Sequence, residues 1–164
     1  RRHGRTMALL LIDLDHFKKI NDTHGHQVGD EVLKVFADRI AQRLRSFDLV
    51  ARLGGEEFVV VLPDISLDMA MQVAERLRVG IAREPFKTSS PHGPVPVSVS
   101  IGATLLEGED LKVEAALARA DDELYRAKEG GRNRIYFSGT GLITPETPAE
   151  GAPEAEADPA QKTV

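Results

Sequence analysis

Residues 50–62 read VARLGGEEFVVVL and place two glycines and two glutamates between two apolar runs. Leu49–Arg52 can form a short strand, and Phe58–Leu62 is β-branched enough to form a buried one. A glycine-containing turn of three to five residues between two strands predicts a β-hairpin. Gly54 and Gly55 allow backbone angles that other residues resist, and they let a ligand approach the main chain.

Glu56 and Glu57 lie at the tip of this predicted hairpin, where two adjacent carboxylates repel each other. A turn without a function gains nothing from two adjacent carboxylates. A divalent cation or a reacting hydroxyl, in contrast, would be stabilised by them. Taken alone, the stretch leaves a solvated hairpin without function as an open alternative.

The rest of the chain supplies the partners of the hairpin. Met7–Ile12 is an apolar run typical of a strand buried on both faces, and Asp13 and Asp15 follow it. Before the hairpin, the pattern predicts a short helix at 16–22, a loop with Gly25 and Gly29, and a helix from Val28 to about Arg45. After the hairpin, it predicts a helix through 70–81, a strand at 97–101 with one polar face, and a loop at 105–110. A helix at 111–128 and a strand at 134–137 follow. Gly102 is expected to end the 97–101 strand or to bend it.

This order contains a βαββαβ unit, which predicts an α+β, ferredoxin-like core with an added C-terminal helix and strand and with helices flanking the sheet. In that arrangement the first strand and the hairpin lie side by side. We therefore expect Asp13 to lie next to Glu56 and Glu57, although more than forty residues separate them.

Composition limits the classes of function. The chain has 164 residues, no cysteine and a net charge of −5. Five acids and one base lie in 139–164, a segment with four of the nine prolines, which we expect to be a disordered acidic tail after a domain at 1–138. The near-neutral remainder argues against nucleic-acid binding. The missing cysteines fit a reducing compartment, so we expect a cytoplasmic domain, with upstream segments able to tether the parent chain to a membrane.

Four motifs, in order, resemble the GGDEF family of diguanylate cyclases, bacterial enzymes that condense two GTP into cyclic di-GMP. The motifs are the GGEEF signature at 54–58, DLDHFKKIND at 13–22, the Gly25-His26 and Gly29-Asp30 pairs, and DDELYRAK at 121–128 followed by Gly131-Arg132-Asn133. The resemblance covers about 1–137 and implies the nucleotidyl cyclase variant of the fold, similar to a polymerase palm. Arg1-Arg2 resembles the end of the family's N-terminal segment, and from the resemblance we expect most of that segment to be cut away.

The resemblance implies a metal site for Mg²⁺ or Mn²⁺. It assigns Asp13 and Glu56 as ligands with the Leu14 carbonyl assisting, and Glu57 as a ligand of a second ion or as the base that deprotonates the attacking hydroxyl. Spacing along a strand alone would pair Asp13 with Asp15, but the resemblance gives Asp15 a structural role. Magnesium binds through a few carboxylates together with substrate phosphates, which suits this set.

For GTP, the resemblance implies that Asn21 and Asp30 bind the guanine base. The triphosphate is assigned to Lys18, Lys128 and Arg132, to the main chain at His16 and Phe17, and to the close approach that Gly54 and Gly55 allow. Simpler alternatives stay open, because Asn21 and Asp30 could cap a turn and a helix, and Lys128 could complement a helix dipole.

A second site is implied by Arg45-Ser46-Phe47-Asp48, the R-x-x-D motif that holds inhibitory cyclic di-GMP in the family, with Arg76 contributing from the next helix. An ordinary surface ion pair is the alternative. The histidines at 16, 24, 26 and 92 could suggest zinc, but they have no matching carboxylate pattern.

The resemblance implies an active cyclase that works as a homodimer under product inhibition, attached to an upstream regulatory domain in the same parent chain. A catalytically weak or inactive module that binds cyclic di-GMP or GTP is the second hypothesis. A ferredoxin-like interaction domain without ligands is the third.

Overall fold

The computed structural model describes residues 6–107, 112–138 and 141–143. Along the chain the elements are β1 (Thr6–Leu14), α1 (Phe17–His24), α2 (His26–Gln42), β2 (Leu49–Gly54), β3 (Glu57–Pro63), α3 (Leu67–Ala82), β4 (Val99–Glu107), α4 (Val113–Glu129), β5 (Ile135–Phe137) and β6 (Gly141–Ile143). In the described ranges these strands form one sheet in the order β2-β3-β1-β4-β5-β6. The predicted α+β architecture is confirmed.

β1 is the centre of the ferredoxin-like core, because it pairs antiparallel with β3 on one side and with β4 on the other. Its side chains are buried on both faces, as its continuous apolar run predicts. Leu10 and Ile12 join the larger core under α1, α2 and α3. Leu9 and Leu11 pack against α4 on the opposite face. The carboxyl end of β1 is thereby held rigidly between two layers of helices.

The α1–α2 connection is shorter than predicted. α1 continues to His24 and α2 starts at His26, so the link is Gly25 alone, with φ 93°. Gly25 takes the positive φ that a side chain would resist, whereas Gly29 is helical. α2 also ends at Gln42 and not near Arg45, because the Arg43 and Leu44 amides turn back to the carbonyls three residues earlier.

β4 differs most from its prediction. The strand begins at Val99 and continues to Glu107, so residues 105–107 are strand and not loop, while 108–110 lie outside the described residues. Gly102 neither ends nor bends the strand: a Cβ there would collide with the α4 backbone at Ala120 and Leu124. The expected polar face is shielded from solvent, since Ser98 is half-buried and Ser100 is wholly inaccessible.

The hairpin turn is also shorter than predicted. β2 extends to Gly54 and β3 begins at Glu57, so the turn consists of Gly55 and Glu56. At the other end, Gly141–Ile143 pairs with β5 as a further strand, so this part of the segment expected to be disordered is ordered. The tail from 144 onward lies outside the described residues. None of the described helices has the length and apolar character needed to cross a bilayer.

Candidate active site

The end of β1 and the start of β3 bring the predicted acids together. Asp13 is the cross-strand partner of Glu57, and the Leu14 amide donates to the Glu56 carbonyl at 3.3 Å. The expected convergence of Asp13 with the hairpin is confirmed. It follows from topology, because the β2–β3 hairpin packs its second strand directly against β1.

The glycines shape the tip of the hairpin. Gly54 and Gly55 have φ 154° and 54°, and the second value is left-handed, where glycine is the favoured residue. The register shifts between Arg52 and Gly54, which indicates a β-bulge that re-aims the strand end. The Arg52 guanidinium donates to the Gly55 carbonyl at 2.9 Å and fixes the turn. This geometry leaves Glu56 and Glu57 half-buried beside β1.

Asp13 is a buried carboxylate in a strained electrostatic setting, with 4% of its surface exposed. Its pKa is raised to about 6, mainly because burial disfavours the charged form; Lys128 lowers the pKa, and the nearby charges of Glu56 and Glu57 raise it. Lys128, at the end of α4, donates to Oδ2 of Asp13 at 2.6 Å. A cation near Asp13 would relieve the repulsion that the ionised carboxylate meets here.

The oxygen donors at this edge fit Mg²⁺ or Mn²⁺, which prefer carboxylate and carbonyl ligands. Within residues 6–107, 112–138 and 141–143, no three His, Asp or Glu side chains are already grouped so that they could hold a metal ion. Glu56 and Glu57 would therefore have to close on a cation together with Asp13. The same cation would compete with Lys128 for the Asp13 carboxylate.

Asp15, two residues further on, is held quite differently. Its carboxylate accepts hydrogen bonds from the hydroxyls of Ser98 and Ser100, both at 2.6 Å, and from the Asn133 amide at 3.0 Å. It is as buried as Asp13 but has three donors. The structural role that the resemblance implies for Asp15 agrees with these contacts.

The predicted triphosphate residues differ in how they relate to the end of β1. His16 has a left-handed backbone, φ 55°, and Phe17 is buried at the start of α1. Lys18 projects into solvent, where it pairs with Asp22 at 3.2 Å. Arg132 lies in the loop after α4, also with a left-handed backbone, φ 64°. The structure brings Lys128 into contact with Asp13, but it gives Lys18 a different partner.

The family model that matches the chain is "Diguanylate cyclase, GGDEF domain", over residues 1–134. The chain belongs to the GGDEF family. The response regulator PleD of Caulobacter vibrioides is 48% identical over 132 residues, 80% of this chain and 29% of PleD. The chain thus spans less than a third of that relative's length.

Two solved GGDEF structures show the same fold. The GGDEF domain of DgcB from Caulobacter crescentus, solved with c-di-GMP, has a TM-score of 0.75 at 34% identity, covering 81% of this chain and 78% of that one. The active GGEEF domain of a diguanylate cyclase from Vibrio cholerae has a TM-score of 0.72 at 33% identity, covering 81% and 83%.

In this GGDEF domain the two predicted guanine residues come from neighbouring helices. Asn21 lies on α1, and its side-chain oxygen occupies the space where a Cβ on Gly29 would lie, so a side chain at position 29 would displace that oxygen. Asp30 is exposed on α2 and lines a 590 Å³ cavity with Phe58 and part of β2. Asp30 is not a helix cap, because α2 begins four residues earlier.

The arginine and the aspartate of the R-x-x-D motif, Arg45 and Asp48, form a salt bridge with each other in this GGDEF domain. Both Nε and Nη2 of Arg45 donate to the Asp48 carboxylate, with the shortest contact 2.7 Å, and this carboxylate raises the pKa of Arg45. Arg45 also donates to the Pro63 carbonyl at 2.9 Å and lies over the Phe47 ring. Arg76 reaches the Arg43 carbonyl at 3.5 Å, so it lies beside the turn that carries Arg45.

Sequence reasoning missed several residues that support the site. Ser98 and Ser100 were visible only as a polar alternation, which a solvent-facing strand would also show. The buried Arg78 carried no signal beyond an ordinary helical arginine, yet it donates to the Asn133 side chain at 2.8 Å. Contacts of this kind join residues 55 to 85 positions apart, and no local pattern encodes them.

Proposed function

We propose that this domain is a diguanylate cyclase that condenses two GTP molecules into cyclic di-GMP and two pyrophosphates. The observation that carries the proposal is the buried Asp13 carboxylate, with its raised pKa, placed across the β1–β3 ladder from the Glu56-Glu57 pair. A cation-dependent phosphoryl transfer is the chemistry that such a site would serve. Membership of the GGDEF family and the active GGEEF relative support the same reaction.

In each half-reaction the 3′-oxygen of one GTP attacks the α-phosphorus of the other. A new P–O bond forms, the bond to the bridging oxygen of the β-phosphate breaks, and pyrophosphate leaves. Glu57 accepts the hydroxyl proton, directly or through water. Asp13, the Leu14 carbonyl and Glu56 would hold the divalent cation, and Glu57 would be available to a second one. When bound, the cation stabilises charge on the attacking and leaving oxygens.

The chain's other residues hold the nucleotide in the proposed complex. Lys128 leaves Asp13 for the triphosphate, which Lys18, Arg132 and the main chain at 16–17 and 54–55 also contact. Asn21 and Asp30 read the base, because an amide and a carboxylate can pair with the guanine N1 and N2 donors. The observed opening between α2 and β2 supports Asp30 in this role.

Each site holds one GTP and the product contains two, so the reaction needs two domains related by two-fold symmetry. We propose a homodimer that an upstream regulatory domain brings together. We also propose product inhibition through Arg45, Asp48 and Arg76, in which cyclic di-GMP opens the Arg45–Asp48 pair. Its guanine and phosphate groups would replace the contacts that the two side chains now make with each other.

The direct test is incubation of the protein with GTP and Mg²⁺, followed by chromatographic detection of cyclic di-GMP. Glu57→Gln should abolish product while leaving cyclic di-GMP binding at Arg45 intact. Forced dimerisation should raise the rate, and an unchanged rate would contradict the dimer requirement.

A binding-only module is the second candidate, and the Lys128–Asp13 pair favours it because it occupies a predicted metal ligand. GTP binding without turnover in the forced dimer would support that alternative over the cyclase.

A further inference from the structure

The loop after α4 is held in an unusual backbone conformation. Gly131, Arg132 and Asn133 have φ angles of 127°, 64° and 48° in succession. Two consecutive side-chain-bearing residues in left-handed geometry are costly, and they persist only where surrounding contacts over-determine them. The loop carries Arg132, a proposed triphosphate residue, so its conformation decides where that guanidinium lies.

Two residues, Asp15 and Arg78, hold Asn133 through hydrogen bonds, and Nη1 of Arg78 reaches both the backbone carbonyl of Asn133, at 3.5 Å, and its side chain. The backbone amide of Asn133 donates to the Asp15 carboxylate at 3.0 Å, which anchors the loop to the end of β1. Its side-chain oxygen accepts from Nη1 of Arg78 at 2.8 Å, which anchors the loop to α3. The Arg132 amide adds a third fixed point by donating to the Ala127 carbonyl at 2.9 Å.

Arg78 is itself held rigidly. Its side chain is 6% exposed, and its guanidinium forms a fork with Glu75, donating from Nε at 3.0 Å and from Nη2 at 2.6 Å. That fork leaves Nη1 directed at Asn133. Burying an arginine destabilises the fold unless its N–H groups find acceptors. In Arg78, one of these N–H groups donates to Asn133 in the proposed active-site loop.

We propose that Arg78 is a positioning residue for triphosphate binding: through Asn133 it fixes the 131–133 loop so that Arg132 meets the β- and γ-phosphates. The proposal rests on the proposed function. Arg78 does not touch the nucleotide. Its loss would let Asn133 and Arg132 relax toward ordinary backbone angles and would remove Arg132 from the phosphates.

The test measures Mg²⁺-dependent binding of 3′-deoxy-GTP, which lacks the attacking hydroxyl, by calorimetry. Arg78→Met should weaken this binding by about tenfold or more, since small displacements of a positioning group are amplified in this range. GMP lacks the β- and γ-phosphates, so its dissociation constant should be the same for the wild type and for Arg78→Met. Arg78→Lys should restore part of the loss.

Arg39→Met is the matched control. Arg39 is a half-buried arginine that donates to the carbonyls of Ile81 and Glu84 and lies 4.2 Å over the Phe86 ring, away from the loop. Both variants should lower the melting temperature, but Arg39→Met should bind 3′-deoxy-GTP within twofold of wild type. An equal loss in the two arginine variants would overturn the proposal.

Asn133→Gly provides an independent variant. Glycine accommodates the left-handed backbone and keeps the hydrogen bond from the backbone amide of residue 133 to Asp15. It removes the side-chain acceptor of Arg78 and leaves only the longer contact, 3.5 Å, from Nη1 to the carbonyl of residue 133, so Arg78→Met should add less than twofold in its background. Additive losses would overturn the proposal, as would wild-type affinity in both single variants. If the wild type itself failed to bind 3′-deoxy-GTP, the proposed function would fall and this inference with it.

Discussion

Asp13 and Asp15 stand two residues apart at the end of one strand, and each exposes 4% of its surface, yet their surroundings are opposite. Asp15 accepts three hydrogen bonds from fixed donors in β4, in the segment before it and in the 131–133 loop. Asp13 has Lys128 as its one hydrogen-bond donor among the described residues and faces two glutamates. Burial alone therefore does not assign a role to a carboxylate.

The different surroundings of Asp13 and Asp15 predict different effects on the stability of the fold. A buried carboxylate whose oxygens accept enough hydrogen bonds stabilises the fold, whereas one that is desolvated among like charges destabilises it. In the proposed function, Asp15 holds the edge of the site in place and Asp13 would bind a cation.

The largest effect is expected for Asp13→Asn. It removes a proposed metal ligand, so cyclic di-GMP formation should fall by about 10³-fold or more. Because the substitution also removes a desolvated charge, the melting temperature in metal-free buffer should stay the same or rise. Chromatographic assay and a thermal melt give the two values. A large loss of stability in this variant would break the contrast with Asp15.

Asp15→Asn should show the reverse pattern. The amide keeps one acceptor but points an NH₂ group at a donor, so we expect a loss of about 3–5 kcal/mol in the free energy of unfolding. Urea denaturation measures it. Ser100→Ala is the milder control, at about 1–2 kcal/mol. A neutral result for Asp15→Asn would mean that the three hydrogen bonds do not stabilise the site.

How far the sequence predicts this contrast depends on the range of each contact. The apolar run of β1, the glycine turn and the order of elements predict the sheet and place Asp13 beside Glu57. The resemblance implies the separate roles of Asp13 and Asp15, since strand spacing alone would have paired them. Neither signal predicts what holds each carboxylate in place.

The rest depends on distant packing. Lys128 reaches Asp13 across 115 positions, and Ser98 reaches Asp15 across 83. Helix periodicity could not show that a lysine at the end of α4 would lie over the end of β1. Strand alternation treated Ser98 and Ser100 as solvent-facing, because it could not show that both hydroxyls donate to the buried Asp15 carboxylate.

The pH dependence of stability should separate the two residues further. The pKa of Asp13 is about 6 in the folded chain against an ordinary 3.8, so between these values the folded chain retains a proton that the unfolded chain releases. Ionised Asp13 therefore lowers stability above pH 6, by about 2–3 kcal/mol, and this penalty disappears as the pH falls toward 4.

Asp13→Asn removes the penalty. The difference in unfolding free energy, variant minus wild type, should be positive above pH 6 and should approach zero near pH 4. Urea titrations of both proteins at several pH values in metal-free buffer measure it. A difference that is flat with pH would show that Asp13 ionises normally in the folded chain.

The smallest effect on stability is expected for Lys18→Met. The Lys18–Asp22 pair is solvent-exposed, so its loss should change the free energy of unfolding by less than about 0.5 kcal/mol. If Lys18 contacts the triphosphate, the KM for GTP should nevertheless rise several-fold. Steady-state kinetics and urea denaturation test the two halves, and an unchanged KM would remove Lys18 from the proposed phosphate residues.

The most direct test of the central claim is the anomalous scattering of Mn²⁺ in crystals grown with 3′-deoxy-GTP. The account predicts an ion within about 2.1 Å of an Asp13 carboxylate oxygen, with the Leu14 carbonyl and Glu56 in its coordination sphere and Lys128 moved to the phosphates. An ion bound to the nucleotide or to Asp15, with Lys128 still on Asp13, would contradict it.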